Sequence, residues 1–387
     1  MKLSSYINIP ASATLAMNAL VQEKKRKGEQ VFNLTVGEPL LPTHALIQEA
    51  AMKAMHDGKT LYPPVAGIPE LRAVVAKWMN QEFGSNFSSN NVLVSCGGKH
   101  ALLLALQALL EPGDEVLIPA PYWVSYPTMV TLAQGVPKIV TTEKDVWKIT
   151  PEQIEQHCTD KTRMLILNSG GNPTGVVYSR SELQAIVEIS KKKGLILISD
   201  EVYSGLTYDN NEFVSLAEFP EYKDDAIIIQ SCSKHFAMTG WRVGFVLGPK
   251  FFIDAIETLQ SQSTTGTSSI SQWAALCAFE NAEEVNGIIL QAMEERRNVF
   301  VSALKKYFGY TMVPPQAGLY AFLPLSVFDA KVENSLDFCM RMVNEYNVAF
   351  VPGSSFGKEG YVRASFGGKP HDIENALKHL SERLKGL

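Results

Sequence analysis

The sequence predicts an α/β protein with two units. The larger has a mostly parallel, seven-stranded sheet between helices, and the smaller is α+β. Three observations carry that prediction. From residue 92 onward, short apolar runs alternate with amphipathic stretches, the pattern of strands joined by helical crossovers. The runs are rich in Val, Ile and Leu with few polar interruptions, as strands covered on both faces require. From about residue 282 a long helical pattern ends the alternation, and short strands with two further helices follow it. The 387 residues are ample for two units. The expected division is an N-terminal segment, 1–38, that joins the small unit, a large unit at 39–285, and a small C-terminal unit at 286–387.

Residues 13–27 have helical spacing, with Leu15, Ala19 and Leu20 on one side. They end in Lys24-Lys25-Arg26-Lys27-Gly28, a basic last turn and a glycine that suit a helix C-terminus. A strand at 31–34 leads to Gly37-Glu38-Pro39, a forced turn where the chain can cross between units. Helices at 44–55 and 69–83 flank the loop Tyr62-Pro63-Pro64-Val65-Ala66-Gly67. Six strands then follow at 92–95, 115–118, 138–140, 164–167, 195–199 and 226–229, with a helix running to residue 110 after the first. A seventh, 243–247, comes after a short turn and is expected to be antiparallel. Beyond the helical pattern that ends at 308 lie strands at 319–323, 348–350 and 361–365. No internal repeat or low-complexity segment interrupts the chain.

Composition narrows the function. Hydrophobic residues make up 46% and charged residues 19%, ordinary for a globular protein in water. The net charge of −5 leaves no basic footprint, which argues against nucleic acid or an anionic membrane as partner. Cys96, Cys158, Cys232, Cys277 and Cys339 show no C-x-x-C spacing, the usage of reduced thiols in a cytoplasmic chain. No metal site is expected. The first ten residues lack a basic run leading into an apolar core, so no signal peptide is expected. The strongly apolar stretch 101–110 is too short to span a bilayer.

In doubly wound sheets ligands sit beyond the carboxyl ends of the strands, so the polar residues there are the ones to collect. The centre of the sequence is Ser231-Cys232-Ser233-Lys234-His235-Phe236-Ala237-Met238-Thr239-Gly240-Trp241-Arg242-Val243-Gly244, entered from the strand at 226–229. Lysine at the lip of a buried strand suits a Schiff base to an aldehyde cofactor, with Ser231 and Arg242 holding a phosphate. Alone, the Ser-Lys pair reads more simply as an exposed lysine in a turn.

The other strand ends add to it. Cys96-Gly97-Gly98-Lys99-His100 opens a helix, and its backbone N–H groups form a phosphate cradle or a plain tight turn. Trp123, in Pro119-Ala120-Pro121-Tyr122-Trp123, can stack on a flat ring or simply pack. Asn172, before Pro173, can donate to a phenolic oxygen or belong to an Asn-Pro turn. Asp200 can keep a pyridine nitrogen protonated or cap a helix, and Tyr203 lies three residues on. Arg363, in the strand 361–365, needs an anion, either a substrate carboxylate or a structural partner. Individually these signals are weak. In this order, at successive strand ends, they are mutually consistent.

The constellation resembles the class I aminotransferases of fold type I, which depend on pyridoxal phosphate (PLP), and among them the bacterial aspartate aminotransferases. The likeness covers nearly the whole chain, including Gly37-Glu38-Pro39, the Tyr62 loop, the segment 121–127 and Ala237-Met238-Thr239-Gly240-Trp241-Arg242. It implies that Lys234 binds PLP covalently, that Asp200 pairs with the pyridine nitrogen, and that Asn172 and Tyr203 bond the phenolic oxygen. Trp123 stacks on the ring, while amides near Gly98 and Lys99, with Ser231 and Arg242, take the phosphate. Arg363, helped by Asn172, Trp123 and Gly37, takes the substrate α-carboxylate, and Lys99 takes the distal carboxylate. The implied reaction is transfer of an amino group from aspartate to 2-oxoglutarate by a ping-pong route. The same likeness implies a homodimer in which Tyr62 reaches the phosphate of the other subunit.

The sequence departs from the family pattern in three places. Gly170-Gly171 precede Asn172 where Pro-Asn is usual, which predicts a looser loop. Leu40-Leu41 replace an acidic and an aromatic residue, and no arginine stands near residues 9–12 of the kind found in prephenate-using relatives. The competing readings are transfer from aromatic or other neutral amino acids, a PLP-dependent C–S lyase, and a PLP-binding regulator.

Overall fold

The structure, a computed structural model, describes residues 13–329, 332 and 334–385. In chain order the strands are β1 (Phe32–Asn33), β2 (Val92–Ser95), β3 (Glu115–Ala120), β4 (Val136–Thr141), β5 (Thr162–Leu167) and β6 (Ile196–Asp200). They continue with β7 (Ala226–Ser231), β8 (Gly244–Leu247), β9 (Tyr320–Pro324), β10 (Val348–Ala349), β11 (Val351–Pro352) and β12 (Tyr361–Ser365). Seven of them form one sheet in the order β2-β8-β7-β6-β5-β3-β4. β8 is antiparallel to both neighbours, and all other pairs are parallel. Two antiparallel steps restore direction, so β2 runs with β7 and six strands end at the same edge. That edge carries the chemistry.

The sheet separates two apolar cores because side chains along a strand alternate between faces. Leu117, Leu165, Leu197 and Ile228 point into one, while Ile166, Ile198, Ile227 and Ile229 point into the other. Helix Gly98–Leu109 covers the second core with Ala101, Leu102 and Ala105, beside Phe252, Ile253 and Ile256 of helix Lys250–Ser263. Every residue of β6 and β7 is buried, which explains their unbroken apolar runs. Each large apolar side chain buried here contributes about 1.5–3 kcal/mol. Helix ends follow local chemistry: Ser179 and Glu182 form a capping box before Arg180–Lys193, and Gly194, at φ 66°, ends that helix.

The smaller sheet is antiparallel, β11-β12-β9, with Arg363 of β12 opposite Phe322 and Val351. β1 pairs in parallel with β10. Leu34 donates its N–H to Ala349 O at 3.0 Å and accepts from Ser365 N at 2.8 Å. Residues 32–34 are thereby stitched to the small sheet, and the next residues cross to the carboxyl edge of the large one.

Several expectations needed correction. The helix Ala13–Arg26 buries Met17 and Val21, whereas Ala19 is exposed and Leu20 half-buried, so its inner face is rotated from the one read in the sequence. The strand expected at 31–34 has only two paired residues, because β10 offers no longer partner. The strand expected at 348–350 is two strands: Phe350 marks the switch from pairing with β1 to pairing with β12. Leu195 belongs to the turn closing the preceding helix, its N–H bonded to Ser190 O at 2.9 Å, so β6 begins one residue later. Val243 is likewise outside β8, following Arg242 in the left-handed region at φ 56°. Residues 9–12 lie outside the described residues. Among the described residues, no helix is long and apolar enough to cross a membrane, and no cluster of His, Cys, Asp and Glu could hold a metal ion.

Candidate active site

The carboxyl edge of the large sheet opens into a cleft of about 1050 Å³ that reaches the small sheet. Gly37, Gly98, Lys99, Trp123, Asn172, Asp200, Tyr203, Ser231, Lys234, Arg242 and Arg363 all line it. Tyr62 is the exception: its side chain stands 92% exposed, away from this cleft.

Lys234 sits in a one-turn helix, Cys232–His235, directly after β7. Ser231 caps that turn, accepting the Ser233 N–H at 3.1 Å, and this sets where the lysine emerges. The Lys234 Nζ donates to the carbonyl of Gly37. Loss of water lowers its pKa to about 8; Glu38 works in the opposite direction, and Arg363 and Arg242 add to the lowering.

Asp200 ends β6, and its Oδ2 accepts the Tyr126 hydroxyl at 2.7 Å. Burial raises its pKa to about 6 against the pull of the Tyr126 hydroxyl and the Val202 N–H. Asn168, at the end of β5, donates to Asp200 O at 2.8 Å and accepts the Asn172 N–H at 3.1 Å. A Cβ at Gly171 would lie 1.6 Å from Asn168 Oδ1, so the glycine leaves room for that carboxamide. Of the Gly170-Gly171 pair, expected to loosen the loop, Gly171 is therefore packed against the acid's own support and Gly170 against Ala317.

Arg363 is buried and donates to Asn172 Oδ1 at 3.1 Å and to Thr35 O at 2.8 Å. Its guanidinium lies 4.2 Å from the centre of the Tyr320 ring, and among the described residues its Nε has no hydrogen-bond partner. The Tyr203 hydroxyl donates to Tyr320 Oη at 3.4 Å, and burial, with Tyr320 and Asp200, raises the Tyr203 pKa against Arg363. These contacts link Tyr203, just beyond β6, to the adjacent strands β9 and β12 of the small sheet.

The opposite end is built for an anion. Helix Gly98–Leu109 begins at the cleft and points its free N–H groups into it. The Arg242 guanidinium lies over that turn: a Cβ at Gly97, whose φ is 81°, would be 2.4 Å from Arg242 Nη2. Arg242 Nη1 donates to Thr239 O at 2.9 Å, and Ser231 Oγ lies 2.9 Å from Ser233 Oγ. Lys99 reaches over the Trp123 ring, 4.9 Å from its centre. Partial loss of water, then Arg242, lowers the Lys99 pKa. Among the described residues, no carboxylate forms an ion pair with Lys99, Arg242 or Arg363.

The chain matches the family model described as aminotransferase class I and II over residues 29–380. It belongs to that family. The aspartate aminotransferase of Geobacillus stearothermophilus is 40% identical over 385 residues, covering 98% of each chain. A probable aspartate/prephenate aminotransferase of Thermus aquaticus is 39% identical over 378 residues, covering 97% of each. Among solved structures, the Thermus thermophilus aspartate aminotransferase with maleate superposes with a TM-score of 0.93 at 35% identity, over 99% of both chains. That of Thermotoga maritima gives 0.92 at 37% identity, over 99% of this chain and 100% of that one.

Class I and II aminotransferases of this kind depend on PLP, and so does this one. The residues present fit that group. An amine, a buried acid and an anion cradle line one cleft, and Gly97 makes the space that Arg242 uses. The residues that could hold it are Lys234 at the aldehyde, Asp200 at the ring nitrogen, and Gly98, Ser231 and Arg242 at the phosphate. Tyr126, Asn168, Thr35 and Tyr320 escaped the sequence reading. Only Tyr126 left a signal, as the third aromatic of the 121–127 segment; the others act through contacts that folding creates.

Proposed function

We propose that this aminotransferase moves the amino group of L-aspartate to 2-oxoglutarate, one substrate after the other in the same cleft. The observation that carries the reading is the pair of cations without a fixed acid: Arg363 buried in the inner wall, and Lys99 beside Trp123. A dicarboxylic amino acid or oxo acid brings one negative group to each. Relatives named for aspartate support the same substrate.

PLP, when bound, supplies a ring that accepts the electron pair left at the substrate's Cα. Arg363 takes the α-carboxylate in its planar fork, steadied by Asn172, with Gly37 and Trp123 lining the same subsite. Asp200, kept as a hydrogen-bonded anion by Tyr126, holds the proton on the ring nitrogen. Asn172 and Tyr203 bond the phenolic oxygen. The amides of Gly98 and Lys99, with Ser231 and Arg242, receive the phosphate. Lys234 Nζ, with a pKa of about 8, is unprotonated in a useful fraction near neutral pH. It would take the Cα proton and, as the conjugate acid, hold that proton for return within the same cleft. The same groups run the reverse with the second acid, giving ping-pong kinetics.

The assembly that suits this reading is a cytoplasmic homodimer. Tyr62, exposed beside Leu61 at 81%, would reach the phosphate site of the second copy. The division into 39–285 and a small unit of 286–387 joined by 1–38 belongs to the same proposal.

A panel of amino donors tests it, comparing wild type with Lys99→Ala. Aspartate should be the preferred donor of wild type and should lose that preference in the variant. If aspartate were no better than phenylalanine, the dicarboxylate reading would be wrong. Release of pyruvate and thiol from a sulfur amino acid would favour a lyase instead.

A further inference from the structure

We propose that Glu38 is a positioning residue for Lys234, a fixed negative charge that favours the protonated amine. The inference rests on Lys234 being the amine that carries the cofactor. Glu38 belongs to the strip that crosses from the small sheet to the large one. Its neighbour, Gly37, accepts the Lys234 hydrogen bond through its carbonyl. The Glu38 carboxylate is itself gripped from the lysine's side, because Thr239 donates its hydroxyl to Oε2. Thr239 opens the short turn that presents Arg242. The strip is held further along as well: Leu40 N–H bonds Gly367 O at 2.9 Å, and Arg296 Nη2 bonds Leu40 O at 3.3 Å. The carboxylate is therefore placed, not free to swing into water.

The charge balance around the amine gives that placement a purpose. From the other elements facing the cleft come the cations Arg363, Arg242 and Lys99, with the exposed Lys25 as a fourth, and the phenols Tyr203, Tyr320 and Tyr126. The acids are Glu38, Asp200, and, farther out, Glu29 and Asp372. Asp200 is engaged by Tyr126, Glu29 is paired with Lys24 at 2.7 Å, and Asp372 lies beside His371. Among the described residues, no lysine or arginine forms an ion pair with Glu38. It is the acid left to balance the two arginines that push the proton off Lys234, and the pull of Glu38 on that amine exceeds that of either arginine. A catalytic amine must both take and give the proton, which requires this balance to stay near the working pH.

The test is a pH titration of the absorption band of PLP-loaded protein, for wild type, Glu38→Gln and Thr239→Val. It is paired with the pH dependence of Lys234 labelling in PLP-free protein by an amine-selective reagent. Both midpoints should fall by roughly half a unit or more in Glu38→Gln, the shift expected of losing one nearby charge. Thr239→Val, which keeps the charge but frees it, should move them in the same direction by less. A purely structural role would lower melting temperature without moving either midpoint. Midpoints that stay put or rise in Glu38→Gln, in protein that still takes up PLP at Lys234, overturn the inference. Failure of wild type to label or load at Lys234 would instead overturn the reading on which it rests.

Discussion

The hydroxyl of Tyr126 meets Asp200 Oδ2 at 2.7 Å, where both side chains are buried. A carboxylate in such a place is costly unless a donor keeps it charged, and Tyr126 is the side-chain donor supplied. The contact links the aromatic segment after β3 to the end of β6 and fixes both the charge and the direction of the acid.

Tyr126→Phe should therefore weaken the acid without displacing the ring. A hydrogen bond to a charged group is worth about 1.5–3 kcal/mol. Steady-state kcat should fall roughly 10-fold or more, with the acid limb of its pH profile moved upward. An unchanged acid limb would show that Tyr126 does not set the Asp200 charge.

Burial of Asp200 has a consequence for the PLP-free protein. The folded pKa of about 6 exceeds the ordinary carboxylate value of 3.8, so between those values the folded state binds more protons than the unfolded one. Its contribution to stability declines as pH rises through that window and is most unfavourable above pH 6. Asp200→Asn should raise the melting temperature of PLP-free protein at pH 8, and less so at pH 4, while abolishing transamination. Calorimetry at the two pH values checks the sign.

Arg363→Lys and Lys99→Ala separate the two carboxylate sites. Lysine cannot reproduce the planar fork of arginine, so Arg363→Lys should raise KM for every substrate. Loss of Lys99 should remove about 2 kcal/mol from dicarboxylates alone, roughly a 30-fold fall in kcat/KM. Neutral amino acids should be unaffected by that second change.

Gly97→Ala places a methyl group against Arg242 Nη2 at a backbone φ of 81°. Strain of about 1–3 kcal/mol is expected, and the guanidinium must move off the helix terminus. Fluorescence titration with PLP should show roughly 10-fold weaker binding. Gly84→Ala, also at positive φ but in open space, is the control for strain alone.

How much of this was legible beforehand depended on what each residue needed from the chain. Lys234, Asp200, Asn172 and Arg363 could be found because each follows or sits in an apolar run that forms a strand, and strand ends face ligands in this architecture. Tyr126 could be seen but not paired, since only the β3–β5–β6 order brings it to Asp200. Thr35 and Tyr320 were invisible: they reach Arg363 through a backbone carbonyl and a ring, one from the segment after β1 and the other from the neighbouring strand β9. Phe350 was misplaced for the same reason. Its strand looks continuous, and only the change of partners divides it.

Everything assigned to this cleft depends on which amine bears the cofactor. Purified protein should be mixed with PLP, reduced with borohydride, digested and mapped by mass. A single pyridoxyl adduct is expected, on the peptide that contains Lys234, and none after Lys234→Ala. An adduct on Lys99 or another lysine, or no adduct at all, would contradict the Lys234 assignment.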